Sequence, residues 1–307
     1  LKYLGDYSTF SHNSSDNYED HFFSLKADFK PSRKLGYKFK GEYEKGHDAV
    51  GSTLSGNATP DEWDLFEFSA QLHFGVDGAK GKLLLETDNN AKRYTTQASF
   101  LDKDELHALA TVQFRFWPKS IIFFQVEQTQ NDYLTRDADN VLNRYFAGVE
   151  WSASGKTSGS ISVGNASKNF KNDSVNEDQS DSNWSAKIHW NPLSRSTISL
   201  STDKAFHDTT GGSDDVIDKT RHAINWVHAW SSRVKSGVNF SRSNDDYFGL
   251  GGSNRSDILT GYVVNIDYDM GRNWIAGISF TNQKRDSNLK RFDYTRNISM
   301  IHLKVAL

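Results

Sequence analysis

The residues able to do chemistry in this 307-residue chain are laid out in ladders. Lys38, Lys40 and Glu42 fall two apart; Glu67, Gln71 and His73 fall two or four apart. Gln113 with Arg115, Gln125 with Glu127, Lys187 with His189, and Asn265 with Asp267 repeat the spacing. In an extended strand, side chains two apart share a face. Each ladder therefore lines one side of a strand with ammonium, carboxylate, amide and imidazole groups. Such a wall holds water and hydrophilic solutes, whereas nucleophilic catalysis needs a base oriented beside its nucleophile. The compact sets are weaker. His12-Asn-Ser-Ser15 puts an imidazole near hydroxyls but sits in a polar stretch with no strand context. The ten His show no His-Glu-x-x-His or paired metal spacing. Gly249-Leu-Gly-Gly252 opens no helix, as a phosphate cradle must. Asp137-Ala-Asp-Asn140 lacks the glycine and distant glutamate of a calcium loop. None of these implies a cofactor, a metal or a catalytic step.

A polar ladder needs a strand whose other side is buried in something apolar. In Trp184-Ser-Ala-Lys-Ile-His-Trp190 the even positions are apolar and the odd ones are not. This pattern recurs from end to end, as a sheet with lipid outside and water inside requires. Composition alone hides it. Mean hydropathy is −0.67, 24% of residues are charged, and no apolar run approaches the ~18 residues of a spanning helix. Barrels conceal their apolar half in alternation, so that absence excludes little. With 4 Pro and 13% aromatics the chain reads as ordered. It has no cysteine and so no disulfide framework. A net charge of −3 argues against a nucleic-acid partner. Leu1-Lys-Tyr-Leu4 reads as a processed start.

Alternation predicts about sixteen strands, the clearest around residues 23–29, 35–43, 66–74, 106–116, 184–190, 198–206, 258–268 and 274–280. The reading is an all-β fold: residues 1–307 as a single transmembrane antiparallel up-and-down β-barrel. Short turns such as Pro118-Lys-Ser120, Pro192–Ser196 and Gly271-Arg-Asn273 alternate with long polar loops such as Gly46–Asp61, Lys171–Asp181 and Ser243–Asp257. Short turns belong to the periplasm and long loops to the outside, which puts both termini in the periplasm of a bacterial outer membrane. Phe29, Phe74, Phe116, Trp117, Trp151, Trp190, Trp230, Tyr268 and Trp274 would form a girdle beside the short turns; Tyr43, Trp63, Tyr145, Trp184, Phe206 and Phe280 a second one. The short turns carry bases (Lys30, Arg33, Lys80, Lys119, Lys156, Arg195, Arg233, Arg272) and most long loops carry acids, including Asp178, Asp181, Asp208 and Asp218.

Parity assigns the pore lining: Lys38, Lys40, Glu42, Glu67, His73, Gln113, Arg115, Gln125, Glu127, Arg144, Glu150, Lys187, His189, Asp203, Asn265, Asp267 and Lys304. Ile188, Ile198, Val238, Ile266, Ile278 and Leu303 would face lipid and lipopolysaccharide. Barrels of ~16 strands enclose an aqueous channel unless a loop folds inward; Gly46–Asp61 and Thr87–Lys103 are the candidate plugs.

Residues 143–307 resemble the β-barrel porin family found with bacterial capsule and exopolysaccharide biosynthesis systems. The resemblance lies in Ala147-Gly-Val-Glu-Trp151, Thr157-Ser-Gly159, Trp190-Asn-Pro-Leu-Ser-Arg-Ser-Thr197, Gly252-Ser-Asn-Arg-Ser-Asp257, Arg285-Asp-Ser-Asn288 and Phe292-Asp-Tyr-Thr-Arg-Asn297. It implies an outer-membrane exit for a secreted polysaccharide, without catalytic residues, partnered by a periplasmic polysaccharide-export protein at the short-turn rim. A general diffusion porin for small hydrophilic solutes, usually narrowed by a constriction loop, is the alternative. A soluble glycan-binding β-protein is a third.

Overall fold

The computed structural model describes residues 1–10, 14–50, 53, 56–76, 78–152, 155–172, 177–209, 216–248, 255–271 and 273–305. His12, Arg272 and Gly249-Leu-Gly-Gly252 lie outside them. Sixteen strands follow one another: β1 (Lys2–Ser8), β2 (Tyr18–Phe29), β3 (Leu35–Asp48), β4 (Asp61–Phe74), β5 (Gly81–Tyr94), β6 (Lys103–Trp117), β7 (Ser120–Tyr133) and β8 (Asn140–Trp151). The second half comprises β9 (Thr157–Phe170), β10 (Gln179–Leu193), β11 (Ser196–Asp208), β12 (Val216–Ala229), β13 (Val234–Phe248), β14 (Ser256–Gly271), β15 (Trp274–Ser287) and β16 (Tyr294–Val305). They form one sheet in chain order, and every neighbouring pair is antiparallel.

The register carries the alternation from strand to strand. Trp190, Ile198, Trp226, Val238, Val264 and Phe280 are paired in succession across β10 to β15. One residue along each strand, His189, Ser199, Asn225, Asn239, Val263 and Thr281 form the neighbouring row on the other face. The apolar face is open: Val264, Ile266, Ile278 and Phe240 are 41%, 46%, 56% and 42% exposed. Contiguous apolar surface on this scale needs a partner, and a row that crosses the sheet fits lipid.

The polar face is the inner one. Lys103 on β6 lies 3.4 Å from Asp208 at the end of β11. Those strands are five steps apart, roughly 24 Å along a sheet of ~4.8 Å spacing. Only a sheet curled around its polar face brings them together. Glycine lets planar groups lie flat on this inner wall. A Cβ on Gly36 would collide with the His73 ring, and one on Gly237 with the Asn265 amide.

Several expectations change. Thr87–Lys103 is no plug: Thr87–Tyr94 completes β5, Gln97–Leu101 is a 3₁₀ turn and Lys103 opens β6. Ser243–Phe248, read as loop, is likewise strand. In these upper segments residues at both parities are mostly polar, so alternation fades while the hydrogen-bond ladder continues. Of the girdle beside the short turns, Trp117, Trp190, Trp230, Tyr268 and Trp274 are exposed and Trp151 is half-buried. In the second girdle Trp63 packs against Tyr94, Ala98 and Leu101, and Phe206 is buried with Leu142, Ala166, Phe170 and Val216. These two rings sit where connections fold onto the strand ends, so neither faces lipid. Among the described residues β1 and β16 are the first and last strands of the sheet.

The inner and outer assignments make opposite predictions for adjacent residues. Ile266→Arg should cost about 2–4 kcal/mol, the range for a base near the bilayer midplane, whereas Asn265→Arg should be tolerated within about 1 kcal/mol, since outward-facing changes near the lipid dominate such costs. Urea unfolding from lipid vesicles, followed by tryptophan fluorescence, measures both.

Candidate functional site

The inner wall is built from side chains brought into partnership by the ladder. On β3 and β4, Lys40 pairs with Glu67 and, at 3.1 Å, with Glu42. Ser24 donates to Glu42 at 2.9 Å, and Gln71 to Glu86 at 2.7 Å. On β5 to β8, His107 bridges Asp88 at 2.8 Å and Glu127 at 3.1 Å. Glu127 also pairs with Arg144 and accepts from Gln125 at 3.4 Å. In the C-terminal half Asn265 donates to Asp267 at 3.0 Å, and His302 meets Asp267 at 2.8 Å. His189 contacts the Ser199 hydroxyl at 2.9 Å.

Of the residues assigned by parity, Lys40, Glu42 and Glu67 are thus joined in one set, Gln125, Glu127 and Arg144 in a second, and Asn265 and Asp267 in a third. Arg115 instead donates to the Pro118 carbonyl at 2.7 Å, and His73 lies over Gly36. Register pairing sets Lys38 opposite Gln71, Gln113 opposite Lys82, Glu150 opposite Ser160, Lys187 opposite Ser201, Asp203 opposite Arg221 and Lys304 opposite Ile275. Among the described residues, Lys38, Glu150, Lys187, Asp203 and Lys304 form no ion pair.

Towards the ends of β5, β7 and β9 the wall changes character, and parity reasoning missed it. Tyr94, Tyr133 and Phe170 end their strands, and their backbone N–H groups donate to Asp102 at 2.7 Å, Asp139 at 2.7 Å and Asp178 at 2.8 Å. A cation lies over each ring: Lys92 at 4.7 Å, Arg136 at 4.0 Å and Lys168 at 5.7 Å from the centroids. Ser287 and Asp293 repeat the backbone bond at 2.6 Å, which is the leading reason the Asp293 carboxyl is held below its usual range. The loop acids therefore include backbone caps, Asp178 among them. Asp139, weighed as a hard-cation ligand, is one of them. A signal existed in the sequence: an aromatic followed six or eight residues later by Asp.

These caps frame a knot across the inner space. Asp208 pairs with Lys168 and, at 3.4 Å, with Lys103. Lys103 also donates to Glu105 at 2.8 Å and Asn131 at 3.0 Å. Lys168 is 1% exposed and packs against the Asp208 carboxylate. Beside it, Phe206 and Val216 pack on Leu142, Ala166 and Phe170. Among the described residues the inward-leaning segment is the end of β11 rather than Thr87–Lys103. Gly46–Asp61 lies partly outside the described residues, and Asp61 accepts from Thr53, Asn57 and, at 2.7 Å, Thr96.

An antiparallel sheet in chain order, polar inside and apolar outside, has a counterpart among known families: one family model matches residues 2–307. The chain belongs to the family described as "Putative beta-barrel porin 2". The porin match spans the whole chain and extends well beyond residues 143–307; its description names no polysaccharide. No curated protein sequence matches the chain. Among solved structures it is similar to the copper transporter OprC, with TM-score 0.62, 10% identity, and coverage of 98% of this chain and 59% of that one. The alcaligin outer-membrane receptor FauA from Bordetella pertussis gives 0.50, 12%, 98% and 58%. The ferric enterobactin receptor PfeA from Pseudomonas aeruginosa gives 0.53, 12%, 92% and 53%. At these identities the likeness is one of fold, and the porin spans between 53% and 59% of the length of these three proteins. Family and fold together point to the bacterial outer membrane.

The knot has a measurable signature. Asp208→Asn leaves the buried Lys168 ammonium without its closest counter-charge and should cost about 3–5 kcal/mol, as breaking a buried pair does. The double variant Asp208→Leu/Lys168→Met should regain most of that, because replacing a buried pair with apolar groups is near neutral. Unfolding free energies of the two variants check this.

Proposed function

We propose that this porin forms a closed outer-membrane pore through which a secreted polysaccharide leaves the cell, with no chemistry performed on the polymer. In hydrocarbon an unpaired strand edge leaves backbone N–H and C=O groups unsatisfied at several kcal/mol each, so the edges of β1 and β16 join. Pore lining is the role of the parity set named above. The observation that carries the reading is the inner surface of β9 to β15. Ser160, Lys187, Ser201, Ala223, Ser241, Gly261 and Gln283 form one row, and His189, Ser199, Asn225 and Asn239 part of the next. Hydroxyls and amides exchange hydrogen bonds with sugar hydroxyls at small net energy each, so a chain can slide without being trapped. The opposite wall neutralises its charges in pairs and selects for no single ion sign. The resemblance to porins of capsule and exopolysaccharide systems supplies the substrate class.

The connections that carry Lys30, Arg33, Lys80, Lys119, Lys156, Arg195 and Arg233 face the periplasm together with both termini, and offer a basic rim to a periplasmic export protein. A small-solute diffusion porin is the second reading, favoured by the knot at Asp208, which narrows the inner space as a constriction does. Deleting the gene separates them. Surface polysaccharide should fall while its synthesis persists; unchanged polysaccharide with slower uptake of small nutrients would establish the diffusion porin instead. An epitope inserted after Gly56 should label on intact cells, and one between Ser194 and Arg195 only after permeabilisation.

A further inference from the structure

We propose that a recess in the inner wall, spanning β12 to β16, is a binding subsite for a carboxylate-bearing sugar residue. This deepens the polysaccharide reading and rests on it. The recess has a volume of about 200 Å³ and is lined by Lys219, Arg221, Ser241, Ser243, Gln283 and Tyr294 among others. That is smaller than the ~300–1,000 Å³ of drug-sized pockets, a scale suited to one monosaccharide unit. Gly261 forms its floor: a Cβ there would stand 3.3 Å from the Ser241 hydroxyl and 4.0 Å from Gln283. Ala223, paired with Ser241, keeps the adjoining row low as well.

The charges around the recess are unequally committed. Lys219 is held by Asp245 at 3.1 Å. Arg285 faces Asp257 at 3.6 Å, and its guanidinium lies 5.1 Å from the Tyr294 ring centre. Arg296 donates to the Gln283 side-chain carbonyl at 2.5 Å, which turns the Gln283 amide NH₂ away from Arg296 and leaves it to donate elsewhere. Arg221 differs from all three. Asp203 is its register partner, yet among the described residues no carboxylate pairs with Arg221. It is also exposed on the inner face. A guanidinium offers a planar fork that matches a carboxylate bidentately. With Ser241, Ser243 and Gln283 within the same recess, one uronate unit finds a charge partner for its carboxylate and hydrogen-bond partners for its ring hydroxyls.

Single-channel recording on the full chain in planar bilayers tests this, with tetragalacturonate and the neutral maltotetraose as probes. Tetragalacturonate should interrupt the current at concentrations where maltotetraose does not. Arg221→Gln should raise the half-blocking concentration about tenfold or more, the scale of one lost charge-assisted pair, and Arg221→Lys should restore part of it. Gly261→Leu, which fills the recess and keeps every charge, should weaken block equally. Equal block by both probes, or block indifferent to Arg221→Gln and Gly261→Leu in channels of normal conductance, would overturn the subsite and leave polymer passage standing. If neither oligosaccharide altered the current, the polysaccharide reading and the subsite would fall together.

Discussion

Backbone hydrogen bonds must be satisfied inside a hydrocarbon layer, and everything else in this molecule is arranged around that requirement. Fifteen antiparallel ladders meet it for β2 to β15, each of these strands pairing with both neighbours in chain order. Once the ladders exist, alternate side chains must diverge, so along the regular part of each strand a residue is committed to one face or the other by its parity. The row Trp190–Ile198–Trp226–Val238–Val264–Phe280 and the neighbouring row from His189 to Asn239 are two sides of one constraint. Glycine adds what parity cannot, by letting His73 and Asn265 lie along the wall rather than project across it.

Charge in the interior follows a different logic. Ionised groups withdrawn from bulk water need partners, and β3 to β9 provide them in sets such as Lys40 with Glu42 and Glu67, or His107 with Asp88, Glu127 and Arg144. The wall of β10 to β15 is richer in serine and asparagine, with cations such as Lys187 and Arg221 that are left to solvent or solute. One wall is cross-linked by ion pairs and the other is lined by hydroxyls and amides. The knot at Asp208 draws the end of β11 towards β6 and β9 and sets the width between them near one end of the strands.

Strand number and the identity of the apolar face were legible in the sequence because a lipid-facing sheet needs contrast: on either side of Ile188, Phe240 or Ile266 the neighbours are polar. That contrast vanishes above the membrane. Thr87–Tyr94 and Ser243–Phe248 carry mostly polar residues at both parities, so they read as loop although their hydrogen bonding is unbroken. Trp63 and Phe206 looked like girdle aromatics because ring type says nothing about which connection folds onto it. The Lys103–Asp208 contact joins residues 105 positions apart, a distance no local pattern spans. Acids such as Asp102, Asp139 and Asp178 were visible as charge, while their work is to accept a backbone N–H at a strand end.

The central claim is that one face of this sheet meets lipid and the other meets water. Spin labels placed singly at residues 237 to 241 of β13, in protein folded into lipid vesicles, test it most directly. Collision with oxygen, which partitions into lipid, should peak at positions 238 and 240, and collision with a water-soluble nickel chelate at 237, 239 and 241. Peaks in the opposite phase would reverse every face, and uniform access to the nickel chelate at all five positions would mean that the sheet does not cross a membrane.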